Sequence, residues 1–323
     1  MMELIRRLAR DQRLTVTEYE TLLRNRTPEL AKELARLADR TRQEHCGVKV
    51  GIRGAVEISS ICKNDCLYCP QRRSNPNCDR YRLRIREVLD CIEEGAGLEL
   101  QSFLLRGGED AFYNDEMLES LLGKLKRKFP GCAVTLALGE RSRESYERLF
   151  NAGADRYLLR HEAADRSLYG SLHPGDMSYD DRLHCLNVLK DIGYQTGCGF
   201  IVGLPGQAEE HLAKDLKYIE EFQPHMVDVG PFRPCAGTPF AGHPAGDMEL
   251  TGYLLSIIRL ILPDALLSVP GALETSVPAG ANVVLYPLYP NIPTGETLAA
   301  LQQRLSVLGY EADTGRGDWM GGT

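Results

Sequence analysis

No stretch of this chain approaches the roughly 18 consecutive apolar residues that a membrane-spanning helix needs. Residues 1–10 mix acidic and basic side chains without the apolar centre of a signal peptide. Neither a membrane partner nor a secretory route is expected, and the expected location is cytoplasmic. An excess of basic charge is missing too: 38 Lys and Arg stand against 45 Asp and Glu, a formal charge of -7 with a pI near 5.6. Nucleic-acid binding concentrates Lys and Arg on phosphate, so no nucleic-acid partner is expected and a small or protein-borne substrate fits better. No repeat or low-complexity segment stands out. What remains is 323 residues, 43% hydrophobic and 26% charged, enough for one large core.

The ten cysteines do not read as a disulfide framework, because a reducing compartment and a large core make one unnecessary. Cys46, Cys78, Cys91, Cys132, Cys185, Cys198 and Cys235 are scattered and read as small apolar residues. Cys62, Cys66 and Cys69 are clustered.

Residues 1–45 read as a helical extension, with leucines at three- and four-residue intervals among charges. Strands are expected at 54–60, 103–106, 133–138, 156–161, 196–202, 226–231, 266–270 and 281–286. Amphipathic helices are expected at 84–94, 114–128, 141–152, 179–192, 208–222 and 248–262. This alternation predicts an α/β fold, a (βα)8 TIM-type barrel over 46–290, followed within 291–323 by a C-terminal helix near 297–308 and a loose Gly-rich tail over 315–323. Only residues 271–280 separate the last two strands, shorter than a parallel crossover usually needs, so the barrel is expected to be irregular or open there.

Cys62-Lys63-Asn64-Asp65-Cys66-Leu67-Tyr68-Cys69 follows the first strand at its C-terminal end, where barrel enzymes place their chemistry. Thiolates suit zinc or an iron–sulfur cluster. Zinc would want a fourth ligand, for which Cys78 is the candidate, whereas a 4Fe-4S cubane on three thiolates keeps one iron open to a small molecule.

Three further strand ends carry candidate ligands. Gly107-Gly108-Glu109 ends the second strand, as a turn or as a site where close backbone approach and the Glu109 carboxylate receive an ammonium. Arg160 and Glu162 fall on one face after the fourth strand, as a fork for a carboxylate with an acceptor for hydroxyls, or as an ion pair on the rim; His161 points away. The Gly203–Gly206 turn after Ile201 and the sixth strand's end at Pro231 suit a flat ring, and Arg233 is either a substrate contact or a solvated charge.

The spacing Cys-x-x-x-Cys-x-x-Cys with Tyr68 before the last thiol, in this βα context, is the hallmark of the radical S-adenosylmethionine (SAM) superfamily. Over roughly residues 51–239 the chain resembles the HydE-type maturases of FeFe-hydrogenase, relatives of biotin synthase and methylornithine synthase. The resemblance rests on the cysteines, Arg72-Arg73-Ser74-Asn75, Arg80-Tyr81-Arg82, Gly108-Glu109-Asp110, Arg160-His161-Glu162 and 202–207. It implies a 4Fe-4S cluster on Cys62, Cys66 and Cys69 and SAM held by Tyr68, Gly107, Gly108, Glu109, Arg160, Glu162, Arg182, Ile201, Pro231 and Tyr289. It also implies substrate contacts from Arg156 and Arg233, a small organometallic or amino-acid-derived substrate, an electron donor such as a ferredoxin or flavodoxin, and other hydrogenase maturases as partners. The C-terminal third departs from that pattern: Val269-Pro270-Gly271-Ala272-Leu273 replaces a threonine pair, segments near 271–280 and 284–289 are shortened, and cysteines for a second cluster are lacking. An enzyme for an amino acid or another small metabolite, and a non-catalytic cluster carrier, stand as alternative readings.

Overall fold

A computed structural model describes residues 1–269, 271–289 and 296–317. The chain opens with three helices, α1 (Met2–Asp11), α2 (Val16–Arg24) and α3 (Pro28–Cys46). Thr15 and Thr27 cap the second and third through their hydroxyls, and Pro28 starts α3 where a missing N–H is harmless. Then follow β1 (Lys49–Ser59), α4 (Ile85–Gly97), β2 (Ser102–Gly107), α5 (Asp115–Lys128), β3 (Ala133–Ala137), α6 (Arg143–Asn151) and β4 (Arg156–Leu158). The chain continues through α7 (Arg166–Leu172), α8 (Tyr179–Ile192), β5 (Gln195–Val202), α9 (Glu209–Phe222), β6 (Met226–Pro231), α10 (Met248–Ile261) and β7 (Leu266–Leu267). It ends with α11 (Leu273–Ser276), β8 (Val283–Pro287), α12 (Leu298–Val307) and β9 (Glu311–Asp313).

The strands pair in parallel in the order β7-β6-β5-β4-β3-β2-β1-β8, the predicted TIM-type barrel. The N-terminal helices pack outside it: the Tyr19 hydroxyl donates to Glu220 on α9 at 2.7 Å, and Tyr253 on α10 donates to Leu22 O at 3.1 Å. The short connection between β7 and β8 does make the barrel irregular, yet it does not leave it open. A four-residue helix, α11, spans the gap, and Ser268 bridges Val283 in parallel. Asn282 clasps the seam: its backbone N–H donates to Leu267 O at 3.0 Å, its Oδ1 accepts from Leu267 N at 2.8 Å, and its Nδ2 reaches Ala265 O at 3.3 Å. A buried side chain thus replaces ladder bonds that two such short strands cannot supply.

Other departures are local. The strand expected at 156–161 stops at Leu158, because the chain turns through a left-handed Glu162 (φ 65°) before the Glu162 N–H rejoins β5 at Gly199 O, 3.0 Å away. Helix α7 was not anticipated; seven residues show no full amphipathic period. Of the tail expected to be loose, residues 315–317 are tied down: Arg316 Nη1 reaches Gly131 O at 2.8 Å and Arg156 Nη2 donates to Arg316 O at 2.9 Å, while just before them β9 pairs with the start of β1 and Gln101 N donates to Thr314 O at 2.8 Å. Residues 318–323, Pro270 of the seventh expected strand and Pro290 at the expected end of the barrel lie outside the described residues.

The connection between β1 and α4 carries the clustered cysteines and has no regular ladder of its own, so side chains hold it. Arg80 donates to three of its carbonyls, Ser60 O at 2.7 Å, Gln71 O at 2.8 Å and Arg72 O at 2.5 Å. Asp65 pairs with Arg72 at 2.9 Å and accepts from Ser74, while Asn75 Nδ2 donates to Pro70 O and, across to the loop after β6, to Ala236 O. The return limb is pinned at Asp110, whose carboxylate accepts from Ser59 Oγ at 2.7 Å and from the Arg82 fork at 2.6 and 2.8 Å. Burial on its own would raise the Asp110 carboxyl; the bonds from Arg82 and Ser59 overcome it and hold it below the ordinary value.

Two tests follow from this architecture. Asn282→Ala orphans the buried Leu267 N–H and is expected to destabilise the chain by about 1–3 kcal/mol in urea unfolding; an unchanged midpoint would show that the seam closes without the clasp. A carboxyl lowered in the folded state stabilises fully above its unfolded pKa of about 4 and loses that contribution as pH falls through the folded value. Wild type should therefore exceed Asp110→Asn in stability at neutral pH, with the gap narrowing in acid; a gap independent of pH would remove the charge from the account.

Candidate active site

Cys62, Cys66 and Cys69 sit in that connection at the C-terminal end of the barrel, all half-buried and free. Cys62 Sγ accepts from Glu109 N at 3.4 Å, and Cys66 Sγ lies 3.6 Å from Met177 Sδ. Burial pushes the three thiols up, Cys69 to about 11 and Cys66 further, with the neighbouring sulfurs adding to the shift of Cys66 and Cys69. Cys62 and Cys69 both raise Cys66, and Cys62 raises Cys69, so the three sulfurs lie within electrostatic reach of one another. Among the described residues no three Cys, His, Asp or Glu side chains, Cys78 included, are grouped as the ligands of a single ion. Thiolates on three corners of a cubane stand farther apart than ligands of one ion, so the donor set fits a 4Fe-4S cluster.

Tyr68 packs against a small apolar cluster of Ala163, Leu168, Tyr169, Ile201 and Phe232. Its hydroxyl lies 3.2 Å from His173 Nε2 while His173 Nδ1 is 2.8 Å from Tyr169 O. Burial lowers His173, so the ring is neutral: Nδ1–H donates to the carbonyl and Nε2 accepts from Tyr68. Ile201 is buried in this cluster and its carbonyl accepts from Gln207 Nε2 at 2.8 Å, and Pro231 pairs with Val202. Tyr289 stands near Tyr81 on the rim.

A cavity of about 460 Å³ runs from the cysteine loop into the barrel. Its upper wall holds Gly107, Arg160, Glu162 and Arg182. Arg160 donates to Glu162 Oε1 at 3.1 Å and lies 3.6 Å from Asp228, so the fork expected to await a carboxylate is already engaged by two of the chain's own carboxylates. The acceptor that remains is Glu162 Oε2, buried and without a hydrogen-bond partner. Arg182 is held by Glu140 at 2.5 Å and donates to Arg160 O at 2.8 Å, which fixes the segment that presents Glu162. His161 faces outward, fully buried against Asp215 at 3.3 Å.

Several expected contacts differ in geometry. A Cβ at Gly108 would lie 2.3 Å from Ile61 O and 2.7 Å from Cys62 Cβ, and one at Gly107 2.8 Å from Ser59 O. These glycines let β2 press against the cysteine loop, and Gly107 also lines the cavity. The Glu109 carboxylate lies over Gly139, accepts from Glu140 N at 3.1 Å and pairs with Lys63 at 3.1 Å, so it is already bonded within the chain. Arg156 does not line this cavity. It begins β4, at the opposite end of the barrel, where it is fully buried and donates to Gln195 at 2.6 Å and to Arg316 O at 2.9 Å. Arg233 is exposed beyond β6 and is not part of the cavity wall.

The lower cavity is lined by Arg53, Glu57, Arg106, Thr135, Asp228 and Ser268, none of which the motifs singled out as a contact. Arg53 and Glu57 share the inner face of β1 by two-residue alternation, and Glu57 accepts from Gln71 of the cysteine loop. Charges at alternate places in an otherwise apolar strand were a legible signal of a polar interior.

A family model described as the radical SAM superfamily matches residues 56–219. The [FeFe] hydrogenase maturase subunit HydE of Thermotoga maritima is 41% identical over 252 residues, 78% of this chain and 72% of that protein. The 3-methylornithine synthase of Methanosarcina barkeri is 26% identical over 289 residues, 86% of this chain and 81% of that one. In fold, the crystal structure of methylornithine synthase superposes with a TM-score of 0.87 over 96% of this chain and 97% of that one, at 24% identity. Three thiols on the first loop of a parallel barrel, the family model and the HydE identity agree, and the chain belongs to the radical SAM superfamily of enzymes.

Proposed function

We propose that this chain is a HydE-type maturase that cleaves SAM and acts inside its barrel on a small organometallic or amino-acid-derived substrate during hydrogenase maturation. The observation that carries this reading is the 41% identity to HydE across 78% of the chain. Membership of the superfamily implies SAM and a 4Fe-4S cluster; Cys62, Cys66 and Cys69 would hold the cluster, which when bound supplies the electron that breaks SAM.

The chain's own side chains bind, orient and shield. Glu162 Oε2 is placed to accept from ligand hydroxyls or an ammonium, and Arg160 and Arg182 hold it there. Tyr68, Gly107, Gly108, Ile201, Pro231 and Tyr289 would shape the SAM site through backbone and packing, and Glu109 through the loop it braces. The cavity walls exclude water from a reactive primary radical. A lower wall of Arg53, Arg106, Glu57 and Asp228 suits a substrate carrying both charges. Arg156 would act by closing the barrel floor and Arg233 from the rim. The location would be the cytoplasm: among the described residues no helix is long and apolar enough to cross a membrane. An electron donor and other maturases are the proposed partners.

Anaerobic reconstitution with iron and sulfide, then dithionite and SAM, should yield 5′-deoxyadenosine from wild type and none from Cys66→Ala. Wild-type protein that binds the cluster without making deoxyadenosine would move the assignment to a cluster carrier. Deoxyadenosine whose formation accelerates with an amino acid and not with a cysteine-bound iron species would favour the methylornithine synthase-like reading.

A further inference from the structure

Charge on this chain is unevenly spread. Residues 72–86 contain six arginines against one aspartate, Asp79, although the whole chain has a formal charge of -7. The fold lays this segment over the cysteine loop: Arg73 N donates to Asn64 O at 2.9 Å, between Cys62 and Cys66, and Arg82 bridges the end of β1 at Ser59. Arg73, Arg80, Arg82 and Arg84 are exposed. Asp110 answers the charge of Arg82. Among the described residues Arg80 bonds only to backbone carbonyls, and no carboxylate pairs with the Arg73 or Arg84 guanidinium, Glu87 being bonded to the Arg84 backbone N–H, so a positive surplus stays on the surface.

Two large apolar side chains are exposed in the same place. Tyr81 is 38% and Phe112 39% exposed, and the Arg82 guanidinium lies 5.2 Å from the Phe112 ring. Arginine interleaved with Tyr and Phe is the composition of a protein-binding surface, whereas a merely solvated rim is richer in Lys and Glu. A partner with net negative charge would be repelled by most of this acidic chain and drawn to this one region.

We infer that the surface formed by Arg73, Arg80, Tyr81, Arg82, Arg84 and Phe112 docks an acidic one-electron carrier protein of the flavodoxin or ferredoxin class. The inference rests on the SAM-cleaving reading, because that chemistry needs a reductant delivered at the cysteine loop. In the transfer the carrier is oxidised by one electron and the cluster on Cys62, Cys66 and Cys69 is reduced by one; no bond is made or broken.

The test measures binding of a purified acidic flavodoxin, in its oxidised form, to the chain by calorimetry at low and at physiological salt. Arg73→Glu/Arg84→Glu is expected to weaken Kd by about tenfold or more. Arg40→Glu, on the helix that leads into the opposite end of the barrel, should leave it unchanged, and wild-type binding should weaken with salt. In parallel, flavodoxin-driven deoxyadenosine formation should fall in the double variant while dithionite-driven formation stays at the wild-type rate. If the charge reversals reduce iron content, Arg73→Gln/Arg84→Gln decides: it too must weaken docking. Wild-type affinity in the variants, an equal loss in Arg40→Glu, or a short RNA that binds this surface more tightly than the carrier overturns the proposal. Dithionite that drives no deoxyadenosine in wild type sinks the functional reading instead, and the binding result then stands separately.

Discussion

The backbone carbonyls of the connection between β1 and α4 have no strand or helix to bond to, and everything at the mouth of the barrel depends on how they are satisfied. Arg80 does most of this, since one planar guanidinium can face several carbonyls at once where an ammonium could not. Asp110 fixes the other side of the connection by gathering Ser59 and Arg82. With both ends held, three thiols are presented together from a stretch without secondary structure of its own, and Gly107 and Gly108 let the next strand close against it.

Charge organises the interior as well as the rim. Arg160 at the upper wall offsets the charge of Glu162 and of Asp228 just below it, which lowers the cost of burying Glu162 and leaves one of its oxygens for a ligand. Below them Arg53, Glu57 and Arg106 keep the cavity polar where most barrels of this kind would be filled by branched apolar side chains. Arg156 and the tail carbonyls it binds close the other end of the barrel among the described residues. Arginines therefore serve three separate jobs, and Arg156, which the family resemblance implied as a substrate contact, lies at the end of the barrel away from the cysteines.

Much of the fold was legible. Helix α8 and strand β6 were read with the same bounds the structure shows, because Ser178 and Gly193 punctuate the helix and an apolar run marks the strand. Helix α7 and strand β9 were not, being too short to display a period. The thiol spacing was equally plain, since ligands close in sequence are close in space whatever the fold. The lower cavity was not, because its residues come one or two at a time from four different strands and from the end of a fifth.

The sequence by itself determined the thiol triad, the βα alternation and hence a parallel barrel, all of which follow from local spacing and periodicity. Only the tertiary structure decided how the barrel closes, since Asn282 reaches across a seam that no periodicity describes. It also decided which charges face the cavity and which are consumed by neighbours. A guanidinium or carboxylate looks alike in sequence whether it awaits a ligand or is already bonded, and the difference lies in partners brought from distant segments, as Asp228 is to Arg160 and Arg316 O to Arg156.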